Sequence, residues 1–303
     1  MVAPNWIGDL LMAQPLLARL RGQGATLDVL APEWVAPVAR RMPEVSEVIA
    51  GPFRHGPLQL GERWRFGRSL RGRYEQAFVL PNTWKSALVP FFAGIPQRIG
   101  HVGEARYGLL NRLHKGSNGP MREHYAALAG VSTEALPHGT LKGDPSAVRR
   151  FDLPARYAAF CPGAEYGPAK RWPHFAELAR KIGMPVVLVG SANDAQAASG
   201  IPGTSLAGKT SLDQAIDVLA GAAVVVSNDS GLMHVAAALG RPQVALFGSS
   251  SPEHTPPASP AARVLWLGIE CSPCYQRECP LGHFRCMKEM AVEMVLNQLK
   301  TIS

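Results

Sequence analysis

Three short runs in this chain hold residue types that can grip a phosphate or move a proton. The first is Asn5-Trp6-Ile7-Gly8-Asp9. Gly8 lets the backbone approach a ligand closely, and Asp9 stands at the start of a helix. Taken alone, Asp9 reads as a helix cap; facing a cleft, it is a general base. The second run is CPGAEYGPAKRWP, residues 161–173. Gly163 and Gly167 keep this loop open, and Lys170 and Arg171 precede a helix expected to begin at Pro173. A lysine beside an already positive helix end is electrostatically awkward, and an anion bound there relieves it. The third run, NDSGLMH, starts at Asn228. Ser230 and the N–H groups of Gly231 and Leu232 can receive a phosphate. Asp229 can accept from a sugar or ribose hydroxyl, and His234 lies about one helical turn past Ser230. By itself His234 reads as a packed histidine among Val235, Ala236 and Ala237. Two phosphate-competent junctions in one half of the chain reinforce each other, because a diphosphate takes more than one donor group.

These runs make sense only at strand-to-helix junctions. The stretch VVVSNDSGLMHVAAALGRPQVALFG, residues 224–248, reads as a buried strand, a tight turn, a small-residue helix stopped by Gly240, and a second buried strand from Gln243 to Phe247. Elsewhere strands are expected at 26–30, 45–49, 76–80, 97–100, 157–161, 186–190, 205–206 and 264–267. Helices are expected at 10–20, 35–42, 86–93, 123–129, 173–182, 194–198, 212–220 and 287–299. Residues 54–73 form a basic stretch, a loop running into a helix, and 101–122 read as a long loop. Residues 137–153 have linker composition. The alternation predicts an α/β protein of two doubly wound domains, 1–150 and 151–303, facing a central cleft. Only Met1, Val2 and Ala3 are available for a strand before the first run, so the strand expected there is stunted or lacks residues from this chain.

No GxGxxG and no Walker loop occurs, so nicotinamide and P-loop chemistry have no support. No apolar run is long enough to span a membrane and no signal peptide is legible, which places the protein in the cytoplasm. The net charge of +8 is lopsided: residues 1–150 hold 19 Lys and Arg against 11 Asp and Glu, and residues 151–303 hold 12 of each. The first half therefore suits an anionic partner, or carries a solvated basic surface. Four of the five cysteines, Cys271, Cys274, Cys279 and Cys286, crowd near the C-terminus with His283 among them. Their C-x2-C-x4-C-x6-C spacing matches no standard zinc ribbon, and leaves a structural metal, reduced thiols and a disulfide open. Cys161 reads as a small core residue. Trp64, Trp84 and Trp172 can stack on a sugar or pack.

Together, PNWIGDLLMAQPLL, CPGAEYGPAKRWP, NDSGLMHVAAALGRP and FGSSSPEHTPP resemble the heptosyltransferases of lipopolysaccharide core synthesis, glycosyltransferase family 9. The resemblance covers nearly the whole chain. It implies a GT-B fold with the acceptor on the N-terminal Rossmann-like domain and the nucleotide-sugar on the C-terminal one. It implies inverting transfer of L-glycero-D-manno-heptose from ADP-heptose to the first heptose of the Kdo–lipid A core. No cofactor is required, and the enzyme meets the cytoplasmic face of the inner membrane without binding nucleic acid. Asp9 matches the family's proposed general base. Lys170 matches the lysine that binds the donor phosphates, and Asp229, Ser230, Gly231 and His234 match the donor-binding motif. The family carries a full apolar strand before its Asn-Trp-Ile-Gly motif, so a start assigned too late accounts for the three residues here. The competing expectations are a sister glycosyltransferase with another heptose or hexose, and a non-catalytic nucleotide-sugar-binding protein of the same fold.

Overall fold

Period-2 and unbroken apolar runs, interrupted at regular intervals by helical segments, build two compact α/β units, Met1–Pro137 and His138–Ser303. This computed structural model describes residues 1–53, 56–116, 119–130 and 135–302. Arg54 and His55, at the start of the expected basic stretch, lie outside the described residues.

The first unit opens with α1 (Ile7–Met12) and α2 (Gln14–Gly22), then β1 (Asp28–Pro32), α3 (Ala36–Arg40), β2 (Glu47–Gly51) and α4 (Leu60–Ser69). It continues with β3 (Gln76–Val79), α5 (Leu88–Phe92), β4 (Gln97–His101), β5 (Arg112–His114) and α6 (Met121–Ala126). The single helix expected over 10–20 is two, because Pro15 sits in the first turn of α2 and has no N–H to continue a longer ladder. The loop expected over 101–122 contains β5, whose three residues are too few to show periodicity.

All strand pairs in this unit are parallel: β1 with β2, β3 with β4, and β4 with β5. Val2 joins the two groups through parallel bridges to Leu30 and Val79. Its N–H donates to Phe78 O at 2.8 Å and its carbonyl accepts from Leu80 N at 3.2 Å. Met1–Ala3 therefore occupy the central row of a sheet in the order β2-β1-Val2-β3-β4-β5. Numbered along the chain, that is the 3-2-1-4-5-6 order of a dinucleotide-binding sheet.

The second unit contains β6 (Ala158–Cys161), α7 (Phe175–Lys181), β7 (Val186–Leu188), α8 (Ala195–Ala198), β8 (Thr204–Ser205) and α9 (Leu212–Gly221). After these come β9 (Val224–Asn228), α10 (Gly231–Ala238), β10 (Gln243–Phe247), β11 (Ala262–Trp266), α11 (Arg285–Lys288) and α12 (Val292–Lys300). Its six strands are parallel in the order β11-β10-β9-β6-β7-β8, again 3-2-1-4-5-6 in chain sequence. Every residue of β6, β9 and β10 is buried, as the unbroken apolar runs require of strands covered on both faces. Phe160, Trp172, Phe175, Leu188, Val226, Leu246, Met287 and Val295 fill the core beneath them. Truncating one of these aromatics to Ala would cost about 3–5 kcal/mol.

Three expectations change here. The segment 137–153 is not a free linker: Leu141 N donates to Ala238 O at 2.8 Å and Asp144 N to Asp217 Oδ1 at 3.0 Å. It belongs to the second unit, which begins at His138 rather than 151. Helix α7 starts at Phe175, so Pro173 precedes it. The terminal helix expected over 287–299 is split between α11 and α12. Among the described residues no helix is long and apolar enough to cross a membrane.

Candidate active site

In a parallel sheet of this order, the two strands that flank the reversal send their loops apart and leave a crevice at their carboxyl ends. In the second unit those strands are β6 and β9, paired through Ala158–Val224 to Cys161–Ser227. The run expected to bind an anion, 161–173, leaves β6, and the run NDSGLMH leaves β9. The topology thus brings both to one crevice, although 59 residues separate Lys170 from Asp229.

The side chains meet there. Lys170 Nζ pairs with Asp229 Oδ2 at 2.5 Å, with Lys170 15% and Asp229 5% exposed. Ser250 Oγ donates to the same Oδ2 at 2.5 Å. Asn228, fully buried, staples the two loops: its Nδ2 donates to Pro162 O at 2.7 Å, and its Oδ1 accepts from Trp172 N at 3.1 Å. Lys170 Nζ also lies 4.8 Å over the Tyr166 ring, a cation–π contact. Ser230 is the N-cap residue of α10, in extended conformation, and its hydroxyl does not cap the helix. The leading N–H groups of α10, from Gly231 onward, have no acceptor within the helix and carry its positive end. An ammonium, a serine hydroxyl and helix amides around one crevice form a cradle for a diphosphate. His234 is buried in α10 and is engaged within the fold.

The first unit repeats the plan. Its reversal lies between Val2 and β3, and the run Asn5–Asp9 leaves the Val2 row there. Trp6 takes the N-cap position of α1 with no capping side-chain bond, and Asp9 is the third helical residue. Asp9 is therefore not the cap. It lies half-buried, near Tyr125 of α6, whose phenol is pushed up first by burial and then by the Asp9 charge. A pocket at the carboxyl ends of the same strands is lined by Asn5, Trp34, Phe53, Arg63, Thr83 and Lys85, among others. Trp34 Nε1 donates to Asn5 O at 2.9 Å, and the buried Arg63 stacks over Phe53 at 4.3 Å while donating to Leu58 O at 2.7 Å. An aromatic wall with fixed cations suits a sugar bearing anionic groups.

Sequence reasoning did not assign Asn228, Ser250 or Tyr125 a role at these sites. Ser250 had a signal, a Ser249-Ser250-Ser251 run at the end of β10, and all three serines are buried. Trp172 packs in the core with its Nε1 on Met290 O at 2.8 Å, whereas Trp64 and Trp84 are exposed. Cys161 is buried, as expected of a core residue.

The family model for glycosyltransferase family 9 (heptosyltransferase) matches residues 63–285. The chain belongs to this family. It is 44% identical to lipopolysaccharide heptosyltransferase 2 of Escherichia coli K12, across 99% of this chain and 97% of that protein. It is 41% identical to lipooligosaccharide heptosyltransferase 2 of Haemophilus influenzae, across 99% and 98%. The solved structure of E. coli ADP-heptose LPS heptosyltransferase II superposes with a TM-score of 0.88 at 42% identity, covering 99% of this chain and 97% of that one. The protein is a glycosyltransferase of the GT-B class, each of its units a Rossmann-like sheet with a polar run at its switch point.

Proposed function

We infer that this enzyme transfers L-glycero-D-manno-heptose from ADP-heptose to the first heptose of the Kdo–lipid A inner core, with inversion at the transferred carbon. The observation that carries this reading is the Lys170–Asp229–Ser250 cluster beside the α10 amides, in a chain 44% identical to a lipopolysaccharide heptosyltransferase 2. In a single displacement the acceptor hydroxyl loses its proton to Asp9 as its oxygen bonds to the anomeric carbon. The bond from that carbon to the ADP oxygen breaks on the opposite face, and ADP leaves with one more negative charge. Lys170, Ser230 and the amides of Gly231 and Leu232 hold that growing charge, so the chemistry requires no cofactor. Asp229 receives Lys170 and Ser250 on Oδ2, which leaves Oδ1 to accept from a hydroxyl of the donor. His234, one turn along α10 from Ser230, completes the donor-binding motif on this reading.

The acceptor belongs to the first unit on this reading. The pocket holding Arg63, Lys85 and Trp34 supports it, as does the positive surplus of residues 1–150. The lipid A end of the acceptor stays in the bilayer, so the enzyme works against the cytoplasmic face of the inner membrane, where a basic surface meets phosphate and Kdo carboxylates. A transfer assay with ADP-heptose and a mono-heptosylated Kdo–lipid A acceptor tests the whole scheme. Product carrying a second heptose is expected. Transfer from a UDP-hexose and none from ADP-heptose would replace this donor with another.

A further inference from the structure

The cysteine-rich segment takes no part in the scheme above, yet it holds four of the five cysteines and a histidine. Cys271, Cys274, Cys279 and Cys286 all line one pocket, together with His283 and Phe284. None is in a disulfide. The His283 ring stands between two of them, with Cys271 Sγ 4.0 Å from Nε2 and Cys279 Sγ 4.0 Å from Nδ1. Cys286 is the buried member of the four. Around Cys279 the chain folds back so that Phe284 N donates to Sγ at 3.4 Å. As placed, the described residues include no three His, Cys, Asp or Glu side chains converged closely enough to hold a metal ion. Bringing the sulfurs to about 2.3 Å from one centre takes a rearrangement of these side chains.

We propose that Cys271, Cys274, Cys279 and Cys286 bind one tetrahedral, thiolate-preferring metal ion, zinc or iron, which clamps this segment against the donor crevice. Four sulfurs select these ions over oxygen-seeking cations, and a cation offsets the mutual repulsion of clustered thiolates. His283 then steadies the sulfurs from outside the coordination sphere. The outer side of the segment is already fastened to both donor loops. Tyr275 N donates to Ser249 O at 2.7 Å, beside Ser250. Ala169 N, beside Lys170, donates to Arg277 O at 3.0 Å, and Tyr166 Oη donates to Tyr275 O at 2.5 Å. Gly167 is packed so closely that a Cβ there would stand 2.4 Å from Arg277 O. Ordering residues 271–286 thus orders the backbone that presents Lys170 and Ser250. The ion is structural and lies off the reaction path.

The effect on ADP rests on the donor-site reading; the metal content does not. The full chain, purified reduced and without chelator from medium containing both metals, is expected to carry about one zinc or iron per chain by elemental analysis. The stripped chain titrated with Co2+ should show thiolate-to-cobalt charge transfer and the visible bands of a tetrahedral site. Cys271→Ser/Cys279→Ser should abolish both, and Asp229→Asn should retain both. Stripping should weaken ADP binding about tenfold in calorimetry, and zinc should restore it. Purified chain without stoichiometric metal whose Co2+ spectrum lacks tetrahedral bands would overturn the site. If the serine variant does not fold, the Co2+ spectrum of the stripped native chain decides alone. Metal that binds without moving ADP affinity would overturn the clamp. Metal bound as expected in a chain that never binds ADP would leave the site standing and sink the donor reading.

Discussion

Lys170→Met separates what the lysine does for folding from what it does for transfer. Methionine keeps the aliphatic stem and removes the charge, leaving the Asp229 carboxylate, 5% exposed, with only Ser250 on Oδ2. Breaking a fully buried pair costs about 3–5 kcal/mol, and losing an exposed one about 0–1. Lys170 is 15% exposed, so the pair lies between these limits, and roughly 2 kcal/mol is expected. For a unit of this size that lowers Tm by about 4–8 °C. Asp229→Asn placed on top removes the stranded charge and should restore most of that loss. Catalysis should not follow. Without the ammonium beside the departing diphosphate, kcat is expected to drop about 10²–10³-fold in both the single and the double variant. Thermal melts and steady-state transfer from ADP-heptose on the four proteins of this cycle read both effects. A single variant with wild-type kcat, or a double variant that regains activity along with stability, would refute the reasoning.

Asp9→Asn should bind ADP normally in calorimetry and lose turnover by about 10²–10⁴-fold, the usual share of a general base; normal turnover would remove Asp9 from the mechanism. Asn228→Ala strands Trp172 N–H and Pro162 O in the interior, so a loss of about 2–4 kcal/mol in chemical denaturation and weaker ADP binding are expected. The first unit should weaken in acid. His101, 1% exposed, is pushed down to about 4 by burial, with the His124 ring stacked at 3.6 Å and His114 adding repulsion. Its Nε2 donates to His124 O at 3.0 Å, and its buried Nδ1 has no partner among the described residues. Unfolded chain takes up this proton near pH 6.5 and folded chain near 4. Stability is thus full above pH 6.5 and lost as pH falls toward 4, by about 3 kcal/mol in all. Melts at stepped pH should show this slope, and His101→Gln should flatten it.

Much of this was legible in residue order. The polar runs at 5–9, 161–173 and 228–234 stand out because glycine, a charged residue and a helix start rarely coincide outside a strand-to-helix junction. The buried strands β6, β9 and β10 announced themselves as unbroken apolar runs. What stayed hidden depends on long-range pairing. Three residues at 1–3 carry no periodicity, yet Val2 fills the central row because Leu30 and Val79 offer it main-chain partners on both sides. Asn228 looks like any turn residue until its amide is seen joining the β6 and β9 loops. Ser250 is one serine in a run of three, and only the fold sets it against Asp229. Pro15 lies inside the single helix expected over 10–20, and it marks the break between two.

The repetition of one strand order in each half has an evolutionary corollary. Each half carries its own polar run and closes its own sheet, with its own hydrophobic filling. On the proposed reading, donor preference is written in residues 138–303 and acceptor preference in residues 1–137. Each is free to drift under separate selection. Chimaeras spliced at Pro137 between relatives of differing sugar usage should therefore inherit the donor from one parent and the acceptor from the other.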